Sequence, residues 1–534
     1  MTQLHQKQKY KQSKVDCIYI FCLIAVGLLI YSNTLKNPFV FDDEGYIQND
    51  PALYMSELDW SSVKKVFLEG IPPHRPIANL SFALNYFLDK HNVFGYHLAN
   101  TAIHILSAIF LFFFIKITLR LLPAKPAVPD YSPAWPSPGF VAFFSSFLWL
   151  IHPVNTQAVT YIVQRMTSLA AMFFILSLCL YASGRTAWQA SPQKKPRAII
   201  CFAACMAAGI CALGTKENTA TLPLVILLYE YFFFQDLTIH WSKRKIIFLL
   251  STVLIFVCLV FYLTDWDPIH RIFNSYTHRD FTITERVMTQ FRVIIYYISL
   301  MVYPSPHRLN LDSNHHFPLS ISFTDPETTL VTCGALVSLV GLAFLAMRRN
   351  RFSAFVILWF FITLMIESSV IGIEIIYEHR IYLSLMMVCA LFTLCLFHII
   401  RHQRTAAVCI FGIVFLFSAW TYQRNMTWQT PQTLWSDCVE KAPNNPRAHN
   451  NLGNELAFKS DFAGAKYHFN VAIRLEPRAA KSHHNLANVF VQQEKYDAAI
   501  RHYRTALDIN PGYLPAKITL QRLLAHINNK SILK

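Results

Sequence analysis

The sequence predicts an all-α membrane protein, with a bundle of about 11 spanning helices followed by a solenoid of paired helices. Three observations predict this fold class. The 534 residues are 54% hydrophobic and only 15% charged, which is too apolar for a soluble protein of this length. Runs of about 20 apolar residues recur through residues 1–422, as expected of membrane-spanning helices. Residues 423–534 are polar and repeat with a period of about 34 residues.

The apolar runs divide residues 1–422 into spans joined mostly by short polar loops. The first run lacks the small-residue cleavage site of a signal peptide, so we interpret it as a retained span. A segment of about 285–323 is apolar near 287–303 but carries Gln290 and Arg292. We expect it to lie on the membrane surface or to re-enter, because a crossing would place later basic clusters outside. The predicted spans are 15–35, 95–119, 139–151, 166–183, 198–213, 219–235, 246–263, 326–347, 352–371, 381–400 and 405–422.

The net charge of +16 is concentrated in basic clusters that precede the first span or lie in short loops. This is the positive-inside pattern of a membrane protein, and no nucleic-acid partner is expected. The pattern places the amino terminus in the cytoplasm, and both the loop 36–95 and residues 423–534 on the outer face. The short loops resemble those of a bacterial inner-membrane protein with a periplasmic tail. The 12 cysteines include no CxxC pair, so we expect neither a zinc site nor a disulfide framework.

The carboxyl-terminal residues carry the tetratricopeptide repeat pattern. Pro443, Pro477 and Pro511 are spaced at 34 residues, with small residues where paired helices cross. Two full repeats are predicted, at 446–479 and 480–513. Such helix pairs stack into a concave surface, which we expect to hold a protein or peptide partner. The alternative is a stabilising cap on the bundle.

Three consecutive carboxylates, Asp42, Asp43 and Glu44, follow the first span in the loop 36–95. A solvated acidic turn is one interpretation, since Asp and Gly favour turns. A carboxylate here can also act as a general base on an acceptor hydroxyl. Asp43 and Glu44 are in addition candidate ligands of a divalent metal ion. The spacing leaves both chemical roles open.

Several cations lie at or near the predicted ends of spans, where an anionic group can reach them. An arginine fork suits a phosphate because it donates two parallel hydrogen bonds. Lys216 with Glu217 is alternatively a snorkelling pair at the membrane surface. His97, Asn100 and His104 share one face of a span, which favours hydrogen bonds between helices over a substrate-facing role. The candidate cations are His74, Arg75, Arg165, Lys216, His379 and Arg380.

The order of these features resembles the GT-C superfamily of lipid-phosphate-sugar glycosyltransferases. More closely, the chain is similar to the transmembrane-and-tetratricopeptide (TMTC-like) O-mannosyltransferases and their bacterial relatives. The resemblance covers nearly the whole chain and rests on the order of short motifs, none of them specific alone. The motifs are Phe39-Val40-Phe41-Asp42-Asp43, Arg75-Pro76-Ile77-Ala78-Asn79-Leu80-Ser81, Phe94-Gly95-Tyr96-His97-Leu98-Ala99-Asn100, His152-Pro153-Val154, Lys216-Glu217-Asn218 and Glu378-His379-Arg380-Ile381-Tyr382-Leu383.

The resemblance implies an inverting transfer of a sugar from a polyprenyl-phosphate donor to a Ser or Thr hydroxyl of a protein on the outer face. It implies that Asp42 or Asp43 is the base, and that Arg380 and Arg75 bind the donor phosphate. His379 and Lys216 are further phosphate-binding candidates, and a divalent metal ion is the one cofactor considered. The remaining candidate site residues are His74, His97, His152, Arg165 and Glu378.

Two other functions are compatible with the sequence. The sugar acceptor can be a glycan or glycolipid instead of a protein. Alternatively, the chain is a non-catalytic scaffold in which the bundle anchors the repeats. A transporter is disfavoured, because the spans show no internal symmetry and few charges at mid-span, with Glu367 the main exception.

Overall fold

The computed structural model describes residues 2–122, 137–235, 243–277, 279–313, 317–400 and 402–532, and no β-strand occurs among them. The all-α prediction is therefore confirmed for these residues. The contacts divide the chain into two units. The first comprises residues 1–309 and 319–426, and the second comprises residues 310–318 and 427–534.

The first unit is a helix bundle built around the central helix α4 (Val93–Leu121). This helix packs against α1, α5 and α7, while α15 packs against α5 and α14. The helices of this unit are α1 Thr2–Tyr31, α2 Trp60–Glu69, α3 Pro76–Asp89, α4 Val93–Leu121, α5 Pro138–Leu150, α6 Thr156–Thr160, α7 Arg165–Ala190, α8 Lys195–Leu213, α9 Leu222–Phe233, α10 Lys243–Leu263, α11 Pro268–Asn274, α12 Ile283–Val302, α13 Thr328–Ala346, α14 Arg351–Leu364, α15 Tyr382–Ile399 and α16 Gln403–Met426.

Seven helical segments of the described chain are long and apolar enough to cross a membrane, or up to nine if each of two bent helix pairs is one span. The chain is thus an integral membrane protein. The predicted count of about 11 is not confirmed. The two further predicted spans, near 219–235 and 352–371, correspond to helices α9 and α14 of 12 and 14 residues. Helices of that length reach only about 18–21 Å at 1.5 Å per residue, short of a hydrocarbon core of about 30 Å.

The loop predicted at 36–95 contains two helices whose ends follow from local sequence. Helix α2 begins after Asp59, whose carboxylate accepts the backbone N–H of Ser62 at 2.8 Å. Helix α3 begins with Pro76 in its first turn, where the missing N–H of proline costs nothing. The predicted amphipathic run Ile77–Leu88 therefore forms one helix, with Ala78, Phe82 and Ala83 buried.

The predicted surface segment begins with helix α12, which starts at a capping box between Thr282 and Glu285. Helix α12 is 20 residues long but is not among the candidate spans, because polar residues interrupt its apolar run. Arg286, Thr289 and Gln290 are all buried on one face of this helix. Whether the segment crosses the membrane stays a prediction, and residues 314–316 lie outside the described chain.

The second unit consists of paired antiparallel helices. Gly453 allows the close crossing of the first pair, because a Cβ at this position would lie 2.7–3.0 Å from ring carbons of Phe469. Ala465, Phe469, Leu486 and Val489 form the core between the two pairs. The helices are α17 Pro431–Lys441, α18 Pro446–Phe458, α19 Phe462–Leu475, α20 Ala480–Gln492, α21 Tyr496–Ile509 and α22 Leu514–Ile532.

Candidate active site

The acidic loop is anchored by Asp43, whose side chain is fully buried. One carboxylate oxygen accepts the backbone N–H of Val40 at 2.9 Å, and the other accepts that of Val163 at 2.7 Å. Burial raises the pKa of Asp43 to about 8, and the two N–H bonds only partly offset this effect. Asp43 therefore holds the loop to the segment before α7, and it is largely protonated at neutral pH.

Asp42 is half-buried, unlike its neighbour, and its backbone N–H donates to the Tyr161 hydroxyl at 2.8 Å. The preceding residue, Phe41, has a φ of 52°. A bulky residue in this left-handed region is strained, and such strain is often found at functional sites. The Asp42 side chain is consequently held in a fixed turn with part of its surface accessible.

Glu44 is exposed and begins a short turn, Glu44–Gln48. In the described part of the chain, no group of three or more His, Cys, Asp or Glu side chains is arranged to hold a metal ion. The metal-binding role of Asp43 and Glu44 stays a prediction. Both oxygens of Asp43 already accept hydrogen bonds, so a bound ion would have to compete with them.

A second group of candidate residues, the cation cluster, consists of Arg75, Lys216, Arg286 and Arg380 with Glu217 and Glu367. Arg75 precedes α3, and its guanidinium binds Glu217 at 2.9–3.1 Å. Burial raises the pKa of Glu217, but the charge and hydrogen bonds of Arg75 outweigh burial, so the net pKa lies below the usual value. The two side chains are about 25% and 30% exposed, which leaves this pair accessible.

Lys216 does not form a surface pair with Glu217, contrary to the snorkelling interpretation. Its ammonium lies 2.7 Å from Glu367 and 3.0 Å from the Thr167 hydroxyl, and only 7% of the residue is exposed. Burial lowers the pKa of Lys216, and the nearby Arg75 and Arg380 lower it further, while the ion pair with Glu367 opposes them. Asn218 donates to the other oxygen of Glu367 at 3.3 Å.

His379 and Arg380 lie on a buried turn, Glu378–Ile381. Gln157 accepts the His379 backbone N–H at 2.8 Å and lies 3.2 Å from the Nδ1 atom. Arg380 donates to the carbonyl groups of Glu374 and Ile375 and lies over the Tyr377 ring. The turn is within electrostatic range of Lys216 and Arg75, so the predicted phosphate-binding residues are close together.

Arg286 of α12 shapes the loop that precedes this turn. Its guanidinium donates to the backbone carbonyl groups of Glu367, Ser369, Ile373 and Glu374. Burial, together with the charge of Arg380, lowers the pKa of Arg286 to about 10. The loop carrying Glu367 is therefore held through its backbone.

The segment 157–161 connects the acidic loop to the cation cluster. The Tyr161 hydroxyl accepts the backbone N–H of Asp42 at 2.8 Å, and Gln157 accepts the backbone N–H of His379 at 2.8 Å. His379 precedes Arg380 on the turn Glu378–Ile381. The acidic loop and this turn, more than 300 residues apart in sequence, thus lie on the same side of the bundle.

The chemistry of this arrangement follows from its charges. The cation cluster contains four cations and two carboxylates, an excess of two positive charges. The excess is one when Glu378, buried on the same turn as Arg380, is counted as a third carboxylate. A nearby further ion pair, Arg279 with Glu374, is neutral as a pair. An excess of positive charge in a partly buried site favours a reaction in which an anion forms. The half-buried Asp42 supplies an acceptor for a proton on the same side.

Three other predicted residues have structural contacts. Arg165 is buried, and it donates to Asn100, Asn85 and the carbonyl groups of Ser81 and Tyr96. The His97 ring bonds the Asn37 carbonyl at 3.0 Å, and the His152 ring bonds the Met301 carbonyl at 3.1 Å. These contacts connect helices and loops of the bundle. His74 is half-buried at the end of the loop before α3, and Glu378 is buried beside His379.

Four functional candidates are absent from the predicted site: Glu367, Gln157, Tyr161 and Arg286. The sequence pointed to Glu367 as a site residue, since an isolated acid in an apolar run requires a buried partner. The sequence also pointed to Arg286, because it is a cation next to the polar residues that argued against 287–303 as a simple span. Gln157 and Tyr161 lie in a stretch of mixed polar and apolar residues after His152 and carry no distinguishing sequence pattern.

Several known proteins are similar to this chain. The family model of the tetratricopeptide repeat matches residues 480–513. Protein O-mannosyl-transferase Tmtc3 of Drosophila melanogaster is 23% identical over 523 residues, covering 86% of this chain and 55% of that protein. Protein O-mannosyl-transferase F38B6.6 of Caenorhabditis elegans is 24% identical over 481 residues, covering 86% and 63% respectively. The chain is similar to TMTC-type protein O-mannosyl-transferases.

Other TMTC proteins match shorter stretches. Human protein O-mannosyl-transferase TMTC2 is 28% identical over 250 residues, covering 43% of this chain and 27% of that protein. The chain spans 55% of the length of the Drosophila protein and 63% of that of the Caenorhabditis protein, less than two thirds of either. Among solved structures, the crystal structure of ArnT from Cupriavidus metallidurans bound to undecaprenyl phosphate aligns with 92% of this chain and 80% of its own. Its TM-score is 0.43 and its identity is 14%.

Proposed function

We propose that this chain is a membrane glycosyltransferase that transfers a sugar from a polyprenyl-phosphate donor to a Ser or Thr hydroxyl of a protein. The observation that carries the proposal is the position of Asp42 on the same side of the bundle as the cation cluster, since the segment 157–161 binds both the acidic loop and the turn of Arg380. The similarity to protein O-mannosyl-transferases along 86% of the chain supports the reaction class. The reaction takes place on the non-cytoplasmic face, where the positive-inside pattern puts the acidic loop.

In the proposed reaction, Asp42 accepts the proton of the acceptor hydroxyl as general base. The hydroxyl oxygen then attacks the anomeric carbon of the donor, on the face opposite the phosphate. The bond between that carbon and the phosphate oxygen breaks, and the polyprenyl phosphate departs with the electron pair. The anomeric configuration is inverted.

The two aspartates have different tasks in this proposal. Asp42 is half-buried and its side chain is accessible in part, whereas Asp43 is fully buried and bonded to two backbone N–H groups. A carboxyl with a pKa of about 8 is largely protonated at neutral pH and is a poor base there. Asp42 is therefore the base, and Asp43 positions the turn that carries it.

The cations stabilise the departing phosphate. A phosphodiester donor carries one negative charge, and the polyprenyl phosphate gains a second as it leaves. The excess positive charge of the cation cluster compensates this increase. Arg75 is the most accessible cation of the cluster, so it contacts the phosphate first. Lys216, His379 and Arg380 extend the binding site behind it.

The tetratricopeptide unit binds the acceptor protein in this proposal. A groove of about 370 Å³ runs beside Asn454, Asn485, Asn488 and Gln492. Side-chain amides both donate and accept hydrogen bonds, so they suit the backbone of an extended peptide. Uncharged amides of this kind bind peptides with little dependence on the charge of the peptide side chains.

The test compares intact masses of surface and secreted proteins from cells that express the wild type or Asp42→Asn. We expect one or a few proteins of wild-type cells to carry an added hexose-sized mass. The amount of modified protein should fall roughly 10²-fold or more in the variant, as for loss of a general base. Glu57→Gln is the matched control, because Glu57 is an exposed acid in the same loop. If the Asp42→Asn cells lose no sugar mass from either the protein fraction or the glycan fraction, glycosyl transfer is refuted. A loss confined to surface glycans would replace the protein acceptor by a glycan.

A further inference from the structure

Each of the two tetratricopeptide repeats contains a pair of facing histidines. His449 pairs with His468 in the first repeat, and His483 pairs with His502 in the second. Both members recur at a spacing of 34 residues, so the pair is repeated in register. The first histidine of each pair occupies the position where the repeat pattern has tryptophan, three residues before the leucine. In each repeat, a pair of imidazoles thus stands where the repeat pattern has one packed aromatic side chain.

The rings of each pair face each other through Nδ1 atoms. The Nδ1–Nδ1 distance is 2.9 Å between His449 and His468 and 3.2 Å between His483 and His502. The ring centroids are 5.1 and 5.4 Å apart, with interplanar angles of 33° and 28°. The two repeats therefore build nearly the same geometry.

The outer nitrogen of the buried histidine is fixed by a proline carbonyl. Nε2 of His449 lies 3.0 Å from the Pro443 carbonyl oxygen, and Nε2 of His483 lies 3.3 Å from that of Pro477. A carbonyl oxygen only accepts, so Nε2 carries the hydrogen and the Nδ1 of a neutral ring holds a lone pair. This lone pair points at the partner histidine. A carbonyl on the far nitrogen is also the usual support of a metal-binding histidine.

We propose that each repeat binds one divalent transition-metal ion, such as Zn²⁺, between its two histidines. Zinc bonds imidazole nitrogens at about 2.0–2.1 Å in tetrahedral geometry, which separates two such nitrogens by roughly 3.3 Å. The observed separations are close to this distance. Zn²⁺ takes the place between the two Nδ1 atoms, the hydrogen that the second ring carried on Nδ1 moves to its Nε2, and water completes the coordination.

The surroundings favour neutral imidazoles and allow a metal ion to enter. His449 and His483 are buried, whereas His468 and His502 are half-buried at the surface. Burial lowers the pKa of His449, His468 and His502, so these rings are largely unprotonated at neutral pH. A metal ion then displaces few protons when it binds.

The two sites differ in their charged neighbours. His468 interacts with the carboxylate of Asp461, although His449 also has Arg474 nearby. The charged side chain that acts on His502 is the cation Arg501. A neighbouring cation disfavours a bound metal ion. We therefore expect the first repeat to bind Zn²⁺ more tightly than the second.

The test measures Zn²⁺ uptake by the full chain in detergent, purified without a histidine tag and stripped of metal. Calorimetric titration with ZnCl₂ and metal analysis after dialysis give the number of ions bound. We expect His449→Trp/His483→Trp to bind two fewer Zn²⁺ ions per chain than the wild type, and each single variant one fewer. Tryptophan is the residue of the repeat pattern at these positions, so it preserves packing.

His526→Phe is the matched control. His526 is exposed and lies against the Tyr496 ring instead of a second histidine. Its removal therefore leaves the Zn²⁺ uptake unchanged. Equal Zn²⁺ uptake by the double tryptophan variant and the wild type overturns the proposal. If that variant does not fold, His468→Phe/His502→Phe removes the half-buried members instead, with the same expected loss. Zn²⁺ should also raise the melting temperature of the wild type but not that of either double variant.

Discussion

The buried ion pair between Lys216 and Glu367 should be strongly coupled. The ammonium and carboxylate are 2.7 Å apart, and both side chains are less than a tenth exposed. Coulomb's law at an effective dielectric constant of about 20 gives a gross attraction of roughly 6 kcal/mol at this distance. Desolvation opposes this attraction, so removing one partner is expected to cost about 3–5 kcal/mol, because the other charge stays buried and unpaired.

The perturbation is a double-mutant cycle of Lys216→Met and Glu367→Gln, both close in shape to the native residues. We expect each single variant to lower the free energy of unfolding, and the double variant to lose less than the sum by about 2 kcal/mol or more. Unfolding of the detergent-solubilised protein, followed by tryptophan fluorescence, measures the four free energies. Losses that add within about 0.5 kcal/mol would refute strong coupling.

The same variants separate a structural role of Lys216 from a role in donor binding. In Glu367→Gln the cation cluster gains positive charge, so a polyprenyl-phosphate donor should bind more tightly. In the double variant the ammonium is absent, so donor affinity should stay below that of Glu367→Gln. Equal donor affinity in these two variants would show that Lys216 contributes only to stability.

Three further predictions concern anchoring residues. Because the folded-state pKa of Asp43 is raised from 3.8 to about 8, its contribution to stability is present below pH ~4 and is lost as pH rises to ~8. Asp43→Asn should therefore weaken the pH dependence of unfolding free energy between about pH 5 and 8, and an unchanged slope would contradict this. Arg165→Lys keeps the charge but cannot reproduce the fork of four hydrogen bonds, so it should cost roughly 2–4 kcal/mol in denaturant unfolding; full stability would argue against an anchoring role. Gly453→Ala places a methyl group 2.7–3.0 Å from the Phe469 ring and should cost about 1–3 kcal/mol of unfolding free energy. Gly512→Ala, whose added methyl group would lie 3.4 Å from the Asn510 side chain, should unfold at nearly the wild-type temperature.

Local sequence predicted the helices and the repeat well, because both depend on short-range periodicity. The 34-residue spacing of the prolines predicted two repeats, and the helices Pro446–Phe458 and Ala480–Gln492 begin these repeats as expected. The acidic triplet was recognisable because charged residues are costly near a membrane. The order of the motifs predicted the similarity to the O-mannosyl-transferases.

The partners of the site residues were not predictable in the same way. Lys216 was paired in sequence with its neighbour Glu217, but in the fold it binds Glu367, 151 residues away, while Glu217 binds Arg75. Adjacent residues on a turn point in different directions, so sequence proximity is a weak guide to pairing. The difference in burial between Asp42 and Asp43 likewise depends on Val163, which only the folded chain brings near.

The loop before His379 is held by contacts to its backbone, and this has a consequence for how freely its sequence can vary. Arg286 and Arg380 donate to main-chain carbonyl groups, and these acceptors are present whatever the loop side chains are. Homologous or engineered chains can therefore exchange many loop residues while the loop keeps its course, provided that the two arginines remain. Gly372 is an exception, because a Cβ there would lie 2.6–2.9 Å from atoms of Ser275. Many side chains of this loop can thus vary without redesign of the bundle.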